Sequence, residues 1–470
     1  MAQGSEARIE LPQEVAAVAR RFTDAGGELY VVGGWLRDVL RGAACKDVDM
    51  ATDLSPARVK QLLDPLGPIY TMGEKFGTIG LRLDDYAIEI TSFRSDTYTP
   101  GSRHPEIEPA GDIAADLARR DFTINAMALR VAPEPGTLVD PFDGSSDLDR
   151  GLIRTPGPPE PRMAEDPLRM MRAVRFAAQL GFAIDTDLLA VLSGRAEMLD
   201  GISCERRRDE LEKILVSPHP DRGVSLLVDT GLMEYVLPEV AAMKDVNQPP
   251  DYHRADVLVH TLLTMAYLEP DPLLRRSALF HDVGKPPTRV TEPKVMFPDH
   301  DKVGAELTGT AMKRLRYGNE DISRTVFMVR RHMRPIHYQR TWSDSAVRRL
   351  VRDCTLEKNG AVMVPLADVI ALARADIKAG NLKKATIFLG LADELEERIE
   401  TLGAHEEVVR AHSPLDGADL SEMFGREPGP WIRPLKEHLA QMVVDGSLAQ
   451  DDKEAASEAA REFMRSRPSP

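Results

Sequence analysis

Asp47 and Asp49 stand two apart near the end of the segment Glu28 to Thr52, ELYVVGGWLRDVLRGAACKDVDMAT, and they limit what the chain can build there more than any other feature. Strand side chains alternate between faces, so a strand through this position projects both carboxylates to one side. Like charges that close repel each other, and a hard divalent cation between them relieves the repulsion; oxygen ligands of this kind suit Mg²⁺. Upstream, the segment predicts an apolar strand at Leu29 to Val32, a turn at Gly33-Gly34 and a brief helix carrying Arg37 and Asp38. The two glycines let backbone N–H groups approach a phosphate with no Cβ in the way. A Gly-Gly pair or an Asp-x-Asp pair alone is commonplace. In this order they describe a site for a metal-bound nucleoside triphosphate.

The run GGWLRD, eight residues of spacer, then DVD followed by Ala-Thr resembles the head of the class II nucleotidyltransferases of the polymerase-beta superfamily. That group holds the tRNA CCA-adding enzymes and the bacterial poly(A) polymerases. The resemblance implies that Asp47 and Asp49 hold Mg²⁺ and that Gly33, Gly34 and Arg37 belong to the nucleotide site.

Downstream, FGTIGLRLDDYAIEITSFR predicts a hairpin turning near Asp84-Asp85. Glu89 interrupts its apolar second strand, where a carboxylate is costly unless it faces water or a cation. Its place in the family's IEITSFR-like strand implies a third metal-facing carboxylate. Residues 95 to 116 are rich in Gly, Pro and charge and predict a long loop. In the family this is a loop near the nucleotide, with Arg103 as its basic contact. RRDFTINAMAL, Arg119 to Leu129, resembles the family's second signature. Arg120 is suited to triphosphate charge, and Asp121 and Asn125 to hydrogen bonds with the ribose or to bracing the loop.

A loop-rich stretch from Pro133 to Pro161 predicts a domain boundary near residue 150. AEDPLRMMRAVRFAAQLGF follows as a helix ended by Gly181. Asp166 and Arg169, three apart, are expected on one face of it. A carboxylate only accepts and a guanidinium only donates, so the pair matches the amino group and bare ring nitrogen shared by cytosine and adenine. Uracil and guanine invert that pattern and leave buried groups unsatisfied, at roughly 1–3 kcal/mol each. The sequence matches the family's EDxxR motif, which implies base selection without a template. ERRRDELEKIL, Glu205 to Leu215, predicts a neck helix whose arginines either contact RNA or brace the base-reading helix.

From about residue 240 the chemistry changes. His260, His281-Asp282, His300, His332 and Asp376 fall in helical segments, a pattern that resembles the HD phosphohydrolase superfamily. The resemblance implies a divalent metal held by His260, His281, Asp282 and Asp376, with His300 and His332 serving a second metal or a phosphate. Mixed nitrogen and oxygen ligands suit Mn, Ni, Fe or Zn better than Mg, for metal-assisted hydrolysis of a phosphoester. The run DLSEMFGREPGPWIRPLKEHL resembles the C-terminal part of bacterial members that carry an HD domain.

Length and composition agree with this division. A chain of 470 residues exceeds one core, and sparse aromatics at 5% with few β-branched runs favour helices around one small sheet. The expected fold is α+β, as five regions. These are an N-terminal helix (1–25), a nucleotidyltransferase head (26–150), a helical neck (151–240), an HD domain (241–390) and a helical tail (391–470). Three widely spaced cysteines predict a reducing compartment. The start lacks a signal-like apolar core, and no apolar run approaches 18 residues, so a cytoplasmic protein is expected. A net charge of −15 argues against indiscriminate nucleic-acid binding. Local arginine-rich tracts nonetheless suit tRNA. The expectation is template-independent addition of CCA to tRNA 3′ ends from CTP and ATP, with no obligate protein partner. Poly(A) polymerase, a CC- or A-adding enzyme, and an HD phosphohydrolase with an inert head are the alternatives.

Overall fold

The computed structural model describes residues 9–71, 77–97, 106–109, 111–249, 255–403 and 412–466. The chain forms two compact units, Met1–Val236 and Leu237–Pro470.

The first unit is built on a seven-stranded mixed sheet. Its strands are β1 (Leu29–Val32), β2 (Asp47–Thr52), β3 (Ile69–Tyr70), β4 (Thr78–Leu83), β5 (Tyr86–Ser92), β8 (Ala128–Ala132) and β9 (Leu138–Val139), in the order β3-β4-β5-β2-β1-β8-β9. Every pairing is antiparallel except β2 with β5. The β4–β5 turn closes at Asp84, whose φ of 51° is left-handed and tolerated by aspartate.

The alternation of β2 and β5 decides what each face meets. Val48, Met50, Ile88 and Ile90 are buried on one side, while Asp47, Asp49 and Glu89 are exposed on the other. The apolar side lies under two amphipathic helices, Gln13–Asp24 and Pro56–Leu63, which bury Val15, Val18, Phe22, Val59 and Leu63. On the polar side, Tyr30, Val32, Ala51 and Ala128 pack against Ile113 and Leu117 of a short helix. That helix covers one end of the face and leaves the carboxylate end open.

Two expectations change. Residues 95 to 116 are not one loop, because β6 (Arg94–Thr97) pairs antiparallel with β7 (Glu106–Pro109) and the helix Ile113–Ala118 follows. Asp112 starts that helix by accepting a hydrogen bond from the Ala115 N–H, a cap signal hidden by the surrounding Gly and Pro. Arg103 lies outside the described residues. Nor is the stretch after Pro133 only loop. It holds the helix Gly144–Arg150, and β10 (Leu152–Ile153) pairs in parallel with β11 (Ala183–Ile184), so backbone pairing continues past residue 150.

The second unit is helical. Its core helices are Val257–Ala266, Pro272–Phe280, His300–Arg314, Asn319–Arg331 and Leu366–Ala379. Toward its end, Gly417–Phe424, Ile432–Val444 and Lys453–Ser466 bury a cluster of Leu415, Leu420, Leu435, Leu439 and Ala460. No described helix is long and apolar enough to cross a membrane.

Candidate active site and a second metal-ligating cluster

Strand register brings the three predicted carboxylates together. Asp47 and Asp49 point the same way by the pleat, and the parallel β2–β5 ladder sets Asp49 directly opposite Glu89. Their crowding has an electrostatic signature. Asp49 is held above the usual carboxylate range by desolvation, with Glu89 and Asp47 adding to it, against the Arg120 guanidinium and a hydrogen bond from the Gly34 N–H. Three like charges on one open face, one of them resisting ionisation, fit a site that takes a divalent cation. Gly33 and Gly34 begin the helix Gly33–Leu40, and Gly33 adopts a φ of +68°. A Cβ on Gly33 would fall 3.1 Å from Asp49 Oδ2 and 3.2 Å from Arg120 Nη1. The glycine therefore lets backbone, carboxylate and guanidinium converge.

Arg120 lies between two acidic partners. Its Nη2 donates to Asp116 Oδ2 at 3.0 Å while Nη1 faces the Gly33–Asp49 corner. Arg37 is buried and internally engaged. Its Nε and Nη2 donate to the Asp38 carboxylate at 2.9 and 2.8 Å, and Nη1 donates to Asn125 Oδ1 at 2.9 Å. Asn125 in turn donates to Asp121 Oδ1 at 3.1 Å, and Arg172 Nε donates to Asp121 Oδ2 at 2.9 Å. Burial alone would raise the Asp121 carboxyl. Arg172, helped by Asn125 and the Phe122 N–H, outweighs it and holds the group below its usual range. Arg37, Arg172 and Arg175 all lie over the Phe176 ring, 5.2, 5.7 and 4.4 Å from its centroid. The second signature is thus tied to the head helix on one side and to the helix Leu168–Leu180 on the other.

Asp166 is not on that helix. The predicted single helix is two, Pro159–Glu165 and Leu168–Leu180, with Asp166 extended between them. Pro167 accounts for the break, since a residue before proline is pushed out of the helical region. The Asp166 carboxylate accepts from Arg206 Nη2 at 2.8 Å and from the Leu168 N–H at 3.2 Å. Arg169 Nη1 donates to Glu165 at 2.6 Å, and Nη2 to the Arg119 carbonyl at 3.1 Å. Arg206 thereby ties the helix Cys204–Leu215 to the Asp166 segment, while Arg207 donates to the Tyr235 carbonyl. Sequence reasoning missed Asp116, Glu165 and Arg172 as partners. The i,i+4 spacings of Asp116 to Arg120 and Glu165 to Arg169 would have exposed two of them; nothing local could have paired Arg172 with Asp121.

In the second unit the predicted histidines and aspartates converge. His260, His281 and Asp376 present ligand atoms within 4.8 Å of one another, and so do Asp282, His300 and His332. His260 and Asp376 lie on helices, but His281, Asp282 and His332 sit just past helix ends and His300 opens one. Helix ends let side chains from several directions meet at one point. The imidazoles share one arrangement: Nδ1 of His281, His300 and His332 contacts the backbone carbonyl three residues earlier, at 2.7, 3.0 and 2.6 Å. Each ring's Nε2 is buried; those of His300 and His332 have no hydrogen-bond partner, while His281 Nε2 lies 3.2 Å from Asp282 Oδ2. A ring that donates through Nδ1 presents a bare Nε2 lone pair, the form in which histidine ligates metals. The orphaned nitrogens fit a transition-metal cluster. Burial, with His281 and His300, pushes His332 down to about 4, whereas at His281 burial is outweighed by Asp282, which raises it. Asp282, despite burial, is held well below the carboxylate range by His281 and Lys285. Lys285, which the sequence reading did not single out, sits 2.7 Å from Asp282 Oδ2.

Comparison with known proteins divides the chain in the same way. The poly A polymerase head domain model matches residues 29–154, the probable RNA- and SrmB-binding site of polymerase A matches 181–244, and the HD domain matches 257–379. A CCA-adding enzyme of Geobacillus kaustophilus is 41% identical over 231 residues, 49% of this chain and 55% of the relative. One from Levilactobacillus brevis is 42% identical over 229 residues, 48% and 56% of the two chains. The chain thus spans about half the length of the curated relatives it matches. The structure of Bacillus stearothermophilus CCA-adding enzyme in complex with CTP aligns over 96% of this chain and 98% of that one, at a TM-score of 0.67 and 25% identity. Thermotoga maritima CCA-adding enzyme complexed with tRNA shares the fold, at a TM-score of 0.53 and 21% identity.

Proposed function

For a chain that carries a poly A polymerase head domain, a polymerase-A RNA-binding region and an HD domain, we propose template-independent addition of C, C and A to tRNA 3′ ends from CTP and ATP, in the cytoplasm. The observation that carries the reading is the in-register set Asp47, Asp49 and Glu89 on one open face beside the Gly33-Gly34 helix start. Mg²⁺ bound there supplies the positive charge that a triphosphate and its pyrophosphate leaving group require. Asp47, Asp49 and Glu89 hold that charge in place, and Gly33 and Gly34 present backbone N–H groups to phosphate oxygens. Arg120 adds a cation at the same corner. Arg37, Asp121 and Asn125 act indirectly, keeping the second signature in position.

Asp166 and Arg169 choose the base. Arg206 and the Leu168 N–H engage the Asp166 carboxylate without exhausting its acceptor sites, which number about four. The exocyclic amino group shared by cytosine and adenine therefore still finds an acceptor. The decisive assay supplies tRNA lacking its terminal trinucleotide with CTP and ATP and sequences the 3′ end. Addition of CCA supports the reading; product length separates poly(A), CC-only and A-only activities, and no addition rejects all of them.

The orphaned imidazole nitrogens favour a second activity, hydrolysis of a phosphoester at a transition metal held by His260, His281, Asp282 and Asp376, with His300 and His332 alongside. Asp47→Ala and Asp282→Ala separate the two. Nucleotide addition falls only in the first and phosphoester hydrolysis only in the second; loss of every activity in Asp282→Ala alone would leave the head inert.

A further inference from the structure

The carboxylate row does not stop at Glu89. In the antiparallel β4–β5 pair Glu89 stands opposite Gly80, and in the β3–β4 pair Gly80 stands opposite Tyr70. Residues directly opposite on neighbouring strands share a face. Tyr70, Gly80, Glu89 and Asp49 therefore form one line across four strands. A Cβ on Gly80 would lie 2.0 Å from Tyr70 Cε2 and 2.1 Å from its Cζ. The hydroxyl end of the ring thus occupies the space that any other residue at position 80 would fill, on the side toward β5. Strand glycines commonly mark such close approach.

We propose that Tyr70 is a positioning residue for nucleotidyl transfer, orienting the Glu89 carboxylate beside Asp49, and that position 80 is glycine so that the Tyr70 ring can cross β4 to do so. The inference rests on the reading of Glu89 as part of the cation-holding face. Tyr70 and Glu89 flank Gly80 on one face, and the ring running over Gly80 carries the phenol toward the Glu89 carboxylate, to which its O–H would donate. An O–H held on one carboxylate oxygen restricts rotation of a three-bond side chain and leaves the remaining lone pairs for a cation. Outer-shell partners of metal-ligating groups typically matter about 10–100-fold in metal affinity or activity.

The test uses the full chain with Tyr70→Phe, Gly80→Ala, Glu89→Gln and the Tyr70→Phe/Glu89→Gln double variant. Mn²⁺ binding is followed by the electron-spin resonance signal of free Mn²⁺, and nucleotide addition is titrated with Mg²⁺. Sites that Glu89→Gln weakens are those of the transferase face, which separates them from the histidine cluster. Tyr70→Phe is expected to weaken the same sites about tenfold and to raise the Mg²⁺ needed for half-maximal addition by a similar factor. Gly80→Ala, which keeps the phenol but displaces the ring, should reproduce both effects, and Tyr70→Phe should add nothing on the Glu89→Gln background. Unchanged Mn²⁺ affinity and Mg²⁺ dependence in Tyr70→Phe, at an unaltered thermal midpoint, overturn the proposal. Multiplying effects in the double variant do the same. If Glu89→Gln itself leaves Mn²⁺ binding and addition intact, it is the reading of Glu89 that fails.

Discussion

At the scale of single residues the head depends on contacts with no slack. Gly33 combines a left-handed backbone with a Cβ position 3.1 Å from Asp49 Oδ2. Gly33→Ala should therefore cost about 1–2 kcal/mol from backbone strain, measured by urea unfolding. It should also lower nucleotide addition by more than its stability loss explains, because it pushes Asp49 away from Arg120. Asp121 supplies a pH dependence. Its folded pKa lies below the unfolded value of about 4, so its stabilising contribution is complete above that value and is lost as pH falls below it. The stability difference between the wild type and Asp121→Asn should be constant near neutral pH and shrink below roughly pH 4. A difference that grows on acidification would contradict the Arg172–Asp121 assignment.

At the scale of elements, the break between the helices Pro159–Glu165 and Leu168–Leu180 places Asp166 where Arg206 reaches it. Arg206→Ala should leave addition of C and A largely in place but loosen exclusion of U and G, read as the ratio of kcat/KM for CTP over UTP. An unchanged ratio would make Arg206 a surface brace only. Arg172→Ala removes the charge that balances Asp121. Because Arg172 is itself about a third exposed, the expected cost is about 1–3 kcal/mol rather than the larger penalty of a fully buried pair. These elements also show what was legible in advance. The strand pair with Asp47, Asp49 and Glu89 could be read directly, since alternation fixes faces wherever one side is apolar. Pro167 marks the break, yet Leu168, Met171 and Val174 after it keep a helical spacing that conceals it. The bond from Arg172 to Asp121 spans 51 residues and follows from the packing of two helices and a turn, which no local pattern encodes. Tyr70 was illegible for the same reason, since it acquires a role only once β3, β4 and β5 are laid side by side.

On the scale of the whole molecule, the carboxylate face and the histidine cluster lie in different compact units. Residues 1–236 contain the whole seven-stranded sheet, the second signature, Asp166 and Arg169, so expressed alone they should unfold in one cooperative transition and, on the proposed function, bind CTP. A molten, non-cooperative product would show that the unit needs the remainder of the chain. The histidine cluster lies wholly in the second unit. Mn²⁺ at a hundred times its dissociation constant should stabilise that unit by about 2.7 kcal/mol, and His281→Ala should abolish most of the gain. The β2–β5 pairing has a further consequence. Parallel neighbours cannot be joined by a tight turn, so Asp49 and Glu89 meet only after the chain has passed through a helix and two other strands. The spacing between these carboxylates is set by the ladder and not by the length of the intervening chain. Changes of chain length around the helix Pro56–Leu63, which lies on the opposite face, can therefore leave the distance from Asp49 to Glu89 unchanged, provided Tyr70 keeps its place over Gly80.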